Sequence, residues 1–324
     1  MSFRSCICCL AIAACAIAGN IHAQKYPDRP IRFVVPFPPG GAPDANARAL
    51  GKQLQSLVNH VIVVDNRSGA DGTIGSNHVA RALPNGYTFL LSGQTLLTNA
   101  VLTDTLPYDV FRDFAPVTQI AVSDGYVVVV HPTVRAATVN ELIAASQSGE
   151  TELRYGSPGI GTSQNLSGEL FNAMAGAKLV HIPYRGLGPA ITALLGGDEL
   201  QVGFIPVSVV ASHITAGKLR LIGITAPARW KSMPEVPTVA ESIPGFAFSG
   251  GWHGVFAPAK TPSSILAYMQ GKVKQALTAP ELREYLHASG YEPVGSSTEE
   301  FRRFLRADFE KWGEIIRIAR IARK

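Results

Sequence analysis

Two short stretches carry the residue types with which a protein can hold an anion through its backbone. The first, Ile31–Asp44, reads IRFVVPFPPGGAPD: an apolar, β-branched run stops at prolines and glycines, and a helical pattern begins just beyond. Between Pro36 and Pro43 there is no bulky polar side chain, so contacts from this loop must come from the N–H groups of Gly40, Gly41 and Ala42, which follow Pro38 and Pro39. A helix start adds unpaired N–H groups and partial positive charge; Pro43 suits the first helical position, and Asp44 complements the dipole or caps the helix. The second stretch, LRYGSPGIGTSQNLSGEL, repeats the arrangement, with Gly156, Gly159 and Gly161 ahead of Thr162 and Ser163. Either hydroxyl residue also makes a plain N-cap. Two more strand ends have similar content: Gly93-Gln94-Thr95, which is equally an ordinary loop, and Tyr184-Arg185-Gly186, where the arginine either meets an anion or stays in solvent. One glycine loop alone is as readily a tight turn; two facing each other across a cleft are better explained by a ligand held between them.

Chemistry of other kinds lacks its residues. The sequence has no Walker loop, no H-E-x-x-H and no G-x-S-x-G, and the G-x-G that starts at Gly159 has Gln164 where a dinucleotide fingerprint needs its last glycine. The histidines are scattered without a pair at metal-ligand spacing, and Asp65 and Asp71, in DNRSGADG, read as turn residues and not as an acid/base pair. No catalytic residue, no metal ligand and no cofactor is expected, so the chain is read as a non-enzyme.

The first 23 residues read as an export signal: Arg4 in the n-region, an apolar run from Cys6 to Gly19, and Ile21-His22-Ala23 as a cleavage site after Ala23. The run is too short for a membrane span. The alternatives are an uncleaved anchor and a lipoprotein lipidated at Cys15. All four cysteines lie in this segment, which leaves the mature chain without disulfides or thiolate chemistry. The expected location is therefore the periplasm. A formal charge of +5 without basic blocks is no nucleic-acid footprint, and nucleic acid is excluded as a partner.

The elements that must position the loops alternate between strand-length apolar runs and helical patterns, which marks an α/β chain with mostly parallel sheets. Ile31–Val35, HVIVVDNR and YTFLLSG are predicted strands, with helices after the first loop and from the DGTIG segment. Two strand-like runs, Val117–Val122 and Tyr126–Val130, break only at Ser123-Asp124-Gly125, read as the first crossing between two lobes. Alternation then resumes from TVNELIAASQ to LRLIGIT, and two long helices, near 262–277 and 298–318, end the chain. The division expected is a signal at 1–23, a first lobe from 24–124 and 226–324, and a second lobe at 125–225.

Taken in order, YPDRPIRFVVPFPPGGAPD, VVDNRSGADGTIGSNHVARALPNGYTFLL, LPYDVFRDFAPVTQIA, LRYGSPGIGTSQNLSGELFNAMAG, VHIPYRGLGPAITALLGGDEL and MPEVPTVAE resemble the substrate-binding receptors of tripartite tricarboxylate transporters, the Bug receptors, from Tyr26 to about Ile318. The resemblance implies a type II periplasmic-binding fold, with two lobes of mixed, mostly parallel sheets around a hinged cleft that closes on a small carboxylate. It implies delivery to membrane permease subunits; a sensor for a membrane signalling protein would use the same pocket, and in either case the receptor is expected to be a monomer. Motif by motif, it implies contacts from Pro38, Pro39, Gly40, Gly41, Ala42 and Asp44, from Gly93, Gln94 and Thr95, from Gly159, Gly161, Thr162 and Ser163, and from Tyr184, Arg185 and Gly186. Two departures stand out. The family loop commonly continues Gly-Thr-Asp where this chain has Ala42-Pro43-Asp44, and many relatives have Asp-Asn facing the cleft where this chain has Ile205 and Pro206. An ammonium group would find no carboxylate there and would be costly to bury. The ligand expected is a carboxylate with an apolar or aromatic body, not an amino acid.

Overall fold

The computed structural model describes residues 26–318. The export signal, with Ala23 and Cys15, lies outside the described residues, as do residues 319–324.

Ile31–Val35 is strand β1, apolar and buried except at the exposed Arg32, which pairs with Asp65 of the neighbouring strand. The loop after it opens helix α1 (Ala42–Val58), whose Leu50, Leu54 and Val58 repeat every four residues and pack against the sheet. Strand β2 (Ile62–Asn66), helix α2 (Thr73–Ala80) and strand β3 (Thr88–Gly93) follow. Because helices return the chain each time, β2 and β3 both pair parallel with β1, and their carboxyl ends lie at one edge.

Strand β4 (Phe114–Ser123) is reached through two short helices, α3 (Thr95–Leu102) and α4 (Val110–Asp113). Neither is foreseen in the sequence: α4 is a single turn, too short to show a period, and α3 starts directly after β3 with no capping side chain to announce it. The chain then leaves this sheet: β5 (Val127–Val130), β6 (Arg154–Ser157), β7 (Val180–Pro183), β8 (Val202–Ile205) and β9 (Arg220–Ile224) form a second sheet in the order β7-β6-β8-β5-β9. Helices α5 (Val139–Ser148), α6 (Ser163–Ala175), α7 (Leu187–Gly196) and α8 (Val207–Thr215) connect them. Strands β6, β7 and β8 are parallel, so the starts of α6, α7 and α8 also share one edge. Strand β5 joins antiparallel between β8 and β9.

After β9 the chain returns to the first sheet as β10 (Trp252–Pro258), inserted antiparallel between β3 and β4. With β11 (Tyr291–Pro293) this six-stranded sheet has the order β11-β4-β10-β3-β1-β2. Both sheets are mixed, as a two-lobed binding fold requires. The outgoing and returning segments run side by side: Ser123 donates its N–H to Gly251 O at 2.7 Å, and Thr225 donates to Tyr126 O at 2.8 Å.

Helices α9 (Ser263–Ala276), α10 (Pro280–Ala288) and α11 (Thr298–Ile318) close the chain. The sequence reading has no counterpart of α10. Helix α11 lays Phe301, Leu305, Trp312, Ile315 and Ile316 against β4, α3 and α6, so one apolar cluster runs from Val34 and Leu90 in the first sheet to Tyr155 and Phe204 in the second. Among the described residues no helix is long and apolar enough to cross a membrane.

Candidate ligand-binding site

At the carboxyl end of β1, Pro38, Pro39, Gly40, Gly41 and Ala42 are all exposed. Gly41 is the N-cap of α1 and offers no side chain to the first turn, which leaves the leading N–H groups to other acceptors. Gly40 and Asp44 serve each other instead. Gly40, at φ +86°, donates its N–H to the Asp44 carboxylate at 2.9 Å, and the same carboxylate accepts Asn66 Nδ2 at 3.0 Å and Arg48 Nε at 3.1 Å. Asp44 is thus the support of the loop and has no oxygen to spare for an anion, which its charge would repel. Burial alone would raise its pKa, but Arg48, Gly40 and Asn66 together hold it below the ordinary 3.8. A depressed carboxylate stabilises the fold above its unfolded pKa, and that stability is lost as pH falls through the folded value. Asp44→Ala is expected to cost about 1–3 kcal/mol, because Gly40, Asn66 and Arg48 all lose the charged acceptor they share. Urea titrations below and above pH 4 check this: the parent should lose more stability than the variant on acidification.

At the end of β3, Gly93 and Gln94 are buried and Thr95 half-buried. Gly93 faces His253 of β10, its register partner. Burial pushes His253 down to about 4, so the ring is neutral at pH 7. Its Nδ1 pairs with the buried Asn46 amide of α1 at 2.9 Å, and its ring lies 5.1 Å from that of Tyr291. Asn46 and His253 escape a sequence reading because they are 207 residues apart; a polar residue on the apolar face of α1 is the one signal.

In the second sheet, Gly159 (φ +142°) and Gly161 (φ +83°) take backbone conformations that other residues rarely adopt. Their N–H groups are used within the loop: Gly159 donates to Ser157 Oγ at 3.1 Å, and Gly161 to Asn165 Oδ1 at 2.9 Å. Thr162 is the N-cap of α6 but makes no side-chain cap; its hydroxyl donates to Gly159 O at 2.7 Å. Tyr184 and Gly186 are half-buried at the start of α7, and Arg185 is exposed. Ile205 is 3 % exposed and lies in the apolar cluster of Val127, Leu194 and Val210, so it is a core residue; Pro206 is half-buried beside it.

The two halves meet. Ser163 Oγ donates to Gln94 Oε1 at 2.7 Å, joining the start of α6 to the start of α3. Thr98 Oγ1 donates to Gly161 O at 3.0 Å. A Cβ on Gly251 would stand 2.8 Å from Ser163 Oγ and 3.5 Å from Gln94 Oε1, so the returning segment also passes this point. Asp71, which the sequence assigns to a turn, has its carboxylate 4.0 Å from the Cβ position of Gly159. Gln94 Nε2 and Asn46 Oδ1 are buried without a protein partner.

The profile of the tripartite tricarboxylate transporter family receptor matches residues 46–321. The chain belongs to this receptor family. It is 34% identical over 309 residues to the protein BugT of Bordetella pertussis, covering 94% of both chains. It is 35% identical over 310 residues to the "UPF0065 protein in tcbD-tcbE intergenic region" of Pseudomonas sp. strain P51, covering 94% of this chain and 91% of that one. Among solved structures, "R. palustris Rpa4515 with adipate" superposes with a TM-score of 0.84 at 31% identity, over 92% of this chain and 99% of the other. MatC from Rhodopseudomonas palustris with bound malate gives 0.80 at 26% identity, over 90% and 100%. Bug receptors are periplasmic solute-binding proteins, and this receptor shares their two-sheet binding fold.

Proposed function

We propose that this Bug receptor captures a small carboxylate between a first lobe (residues 26–124 and 226–318) and a second lobe (125–225) and passes it to the permease subunits of a tripartite tricarboxylate transporter. The observation that carries the reading is the 2.7 Å bond between Ser163 and Gln94, which makes two separately predicted half-sites into one. Around it, the starts of α1, α3, α6 and α7 supply N–H groups and positive dipole ends, and no side chain caps any of the four. Gln94 Nε2 adds a buried donor suited to a carboxylate oxygen. The adipate and malate bound by relatives are of the same class.

Closure follows from the same geometry: a ligand that contacts both lobes favours the arrangement in which they meet. The side-by-side segments at Ser123–Tyr126 and Thr225–Gly251 act as the hinge. The end of β8, Ile205-Pro206, carries no carboxylate that could pair with an ammonium group, which favours a ligand without one and with an apolar or aromatic body. The receptor works as a monomer, exported by cleavage after Ala23.

A thermal-shift screen of the mature protein against mono-, di- and tricarboxylates, aromatic acids and amino acids tests the reading. A bound acid stabilises by about 2.7 kcal/mol at a hundredfold excess over its Kd. A rise with one class of acid is expected; no rise with any acid, after unfolding and refolding to strip a carried ligand, would overturn it. Tighter binding of an amino acid than of its deaminated analogue would overturn the ligand class.

A further inference from the structure

We propose that Thr98 is a positioning residue that sets how firmly the receptor closes, acting through the Gly161 carbonyl and not through the ligand. The proposal rests on the two-lobed reading above. Gln94, Thr98 and Leu102 recur every four residues and so lie on one face of α3. Each meets the second lobe: Gln94 Oε1 accepts from Ser163, Thr98 donates to Gly161 O, and Leu102 Cδ1 stands 2.9 Å from the Cβ position of Gly161. This face of α3 is a rail against which the second glycine loop comes to rest.

The acceptor is fixed before the lobes meet. Gly161 is held at φ +83°, its N–H is donated to Asn165 Oδ1 at 2.9 Å, and Asn165 Nδ2 in turn donates to Tyr155 OH at 3.1 Å. All these partners belong to the second lobe. The donor, by contrast, has a second option. Thr98 Oγ1 also lies 3.4 Å from Thr95 O, one turn earlier in its own helix, and a hydroxyl has a single hydrogen to give. When the lobes part, that hydrogen returns to the Thr95 carbonyl, a common fallback for helical threonine. Opening therefore strands no donor, and closing exchanges a long, local bond for a shorter one between lobes. Such a contact biases the equilibrium without locking it.

Thr98 is fully buried on the inner face of α3, and its effect should be independent of what the ligand is. A change in the population of the binding-competent form scales apparent affinity by one factor for every ligand. Removing the hydroxyl is expected to weaken binding about two- to threefold, since closing gains only the difference between the bond to Gly161 and the longer one to Thr95.

The mature chain has no cysteine, so the pair Gln55→Cys and Thr192→Cys, both exposed and on helices of opposite lobes, takes spin labels cleanly. Distances between the labels are measured without ligand in the parent, Thr98→Val, Thr98→Ala and Thr98→Ser proteins, and the Kd of adipate and of malate is measured for each. The valine and alanine variants should lose short-distance population and weaken both acids by the same factor, while serine restores both. Two independent deletions cover the case in which one fails to fold. An unchanged distance distribution, or a loss confined to one acid, would overturn the proposal. If the parent binds no acid yet the distances shift as expected, the carboxylate reading falls and the role of Thr98 stands.

Discussion

Gly93→Ala is expected to cost about 3 kcal/mol of folding stability, near the upper end for overpacking, and to abolish ligand binding at the same time. A Cβ on this residue would lie 2.2 Å from Trp252 O and 3.1 Å from His253 Cδ2. Neither neighbour can yield cheaply. Trp252 O belongs to β10, held between β3 and β4, and the His253 ring is held by Asn46 and by Tyr291. Relief requires β3 and β10 to part at their cleft end, which displaces Gln94 from Ser163. Chemical denaturation and calorimetric titration of the variant check both effects. A variant as stable as its parent would show that the strands tolerate a side chain here, contrary to the geometry.

Asp308→Ala should be nearly as severe, at about 3 kcal/mol, for a different reason. Its buried carboxylate accepts Trp252 Nε1 at 2.6 Å and Trp312 Nε1 at 2.7 Å, tying α11 to β10. Truncation strands two buried indole N–H groups, at about 1–3 kcal/mol each. Asp308→Asn keeps an acceptor oxygen and should cost less than half as much. Burial raises the pKa of Asp308 and outweighs the two indoles and Lys311, which lower it. A carboxyl with a raised folded pKa contributes stability below its unfolded pKa and loses it as pH rises through the folded value. Over that window the parent should lose stability relative to Asp308→Asn. Equal pH dependence in the two proteins would contradict the assignment.

The sequence made the outline of the site readable because each glycine loop is local: strand, bend and helix start follow within about 15 residues, and their turn chemistry is explicit in Gly40, Gly159 and Gly161. The strand and helix order was readable for the same reason. What escaped is what the fold brings together from far apart. Asn46 meets His253, and Thr98 meets Gly161, only after β10 has returned and the second sheet has formed. Helix α3, which bears Thr98, was hidden because it starts directly after β3, at Thr95, with no capping side chain to mark the change. Asp44 was legible as a helix-start residue, but that it takes the Gly40 N–H depends on Asn66 and Arg48 also converging on it. Ile205 packs with Val127, Leu194 and Val210, a set of contacts that only the folded second sheet assembles.

The central claim is that an ionised carboxylate is what the two lobes hold. Calorimetric titration of the stripped, refolded receptor with adipate, malate and phenylacetate, each paired with its uncharged amide, tests it most directly. Helix N-termini and Gln94 Nε2 offer donors and partial positive charge to an anion, so at least one acid should bind while its amide fails to compete even at a hundredfold excess. An amide that binds as tightly as its acid would contradict the account.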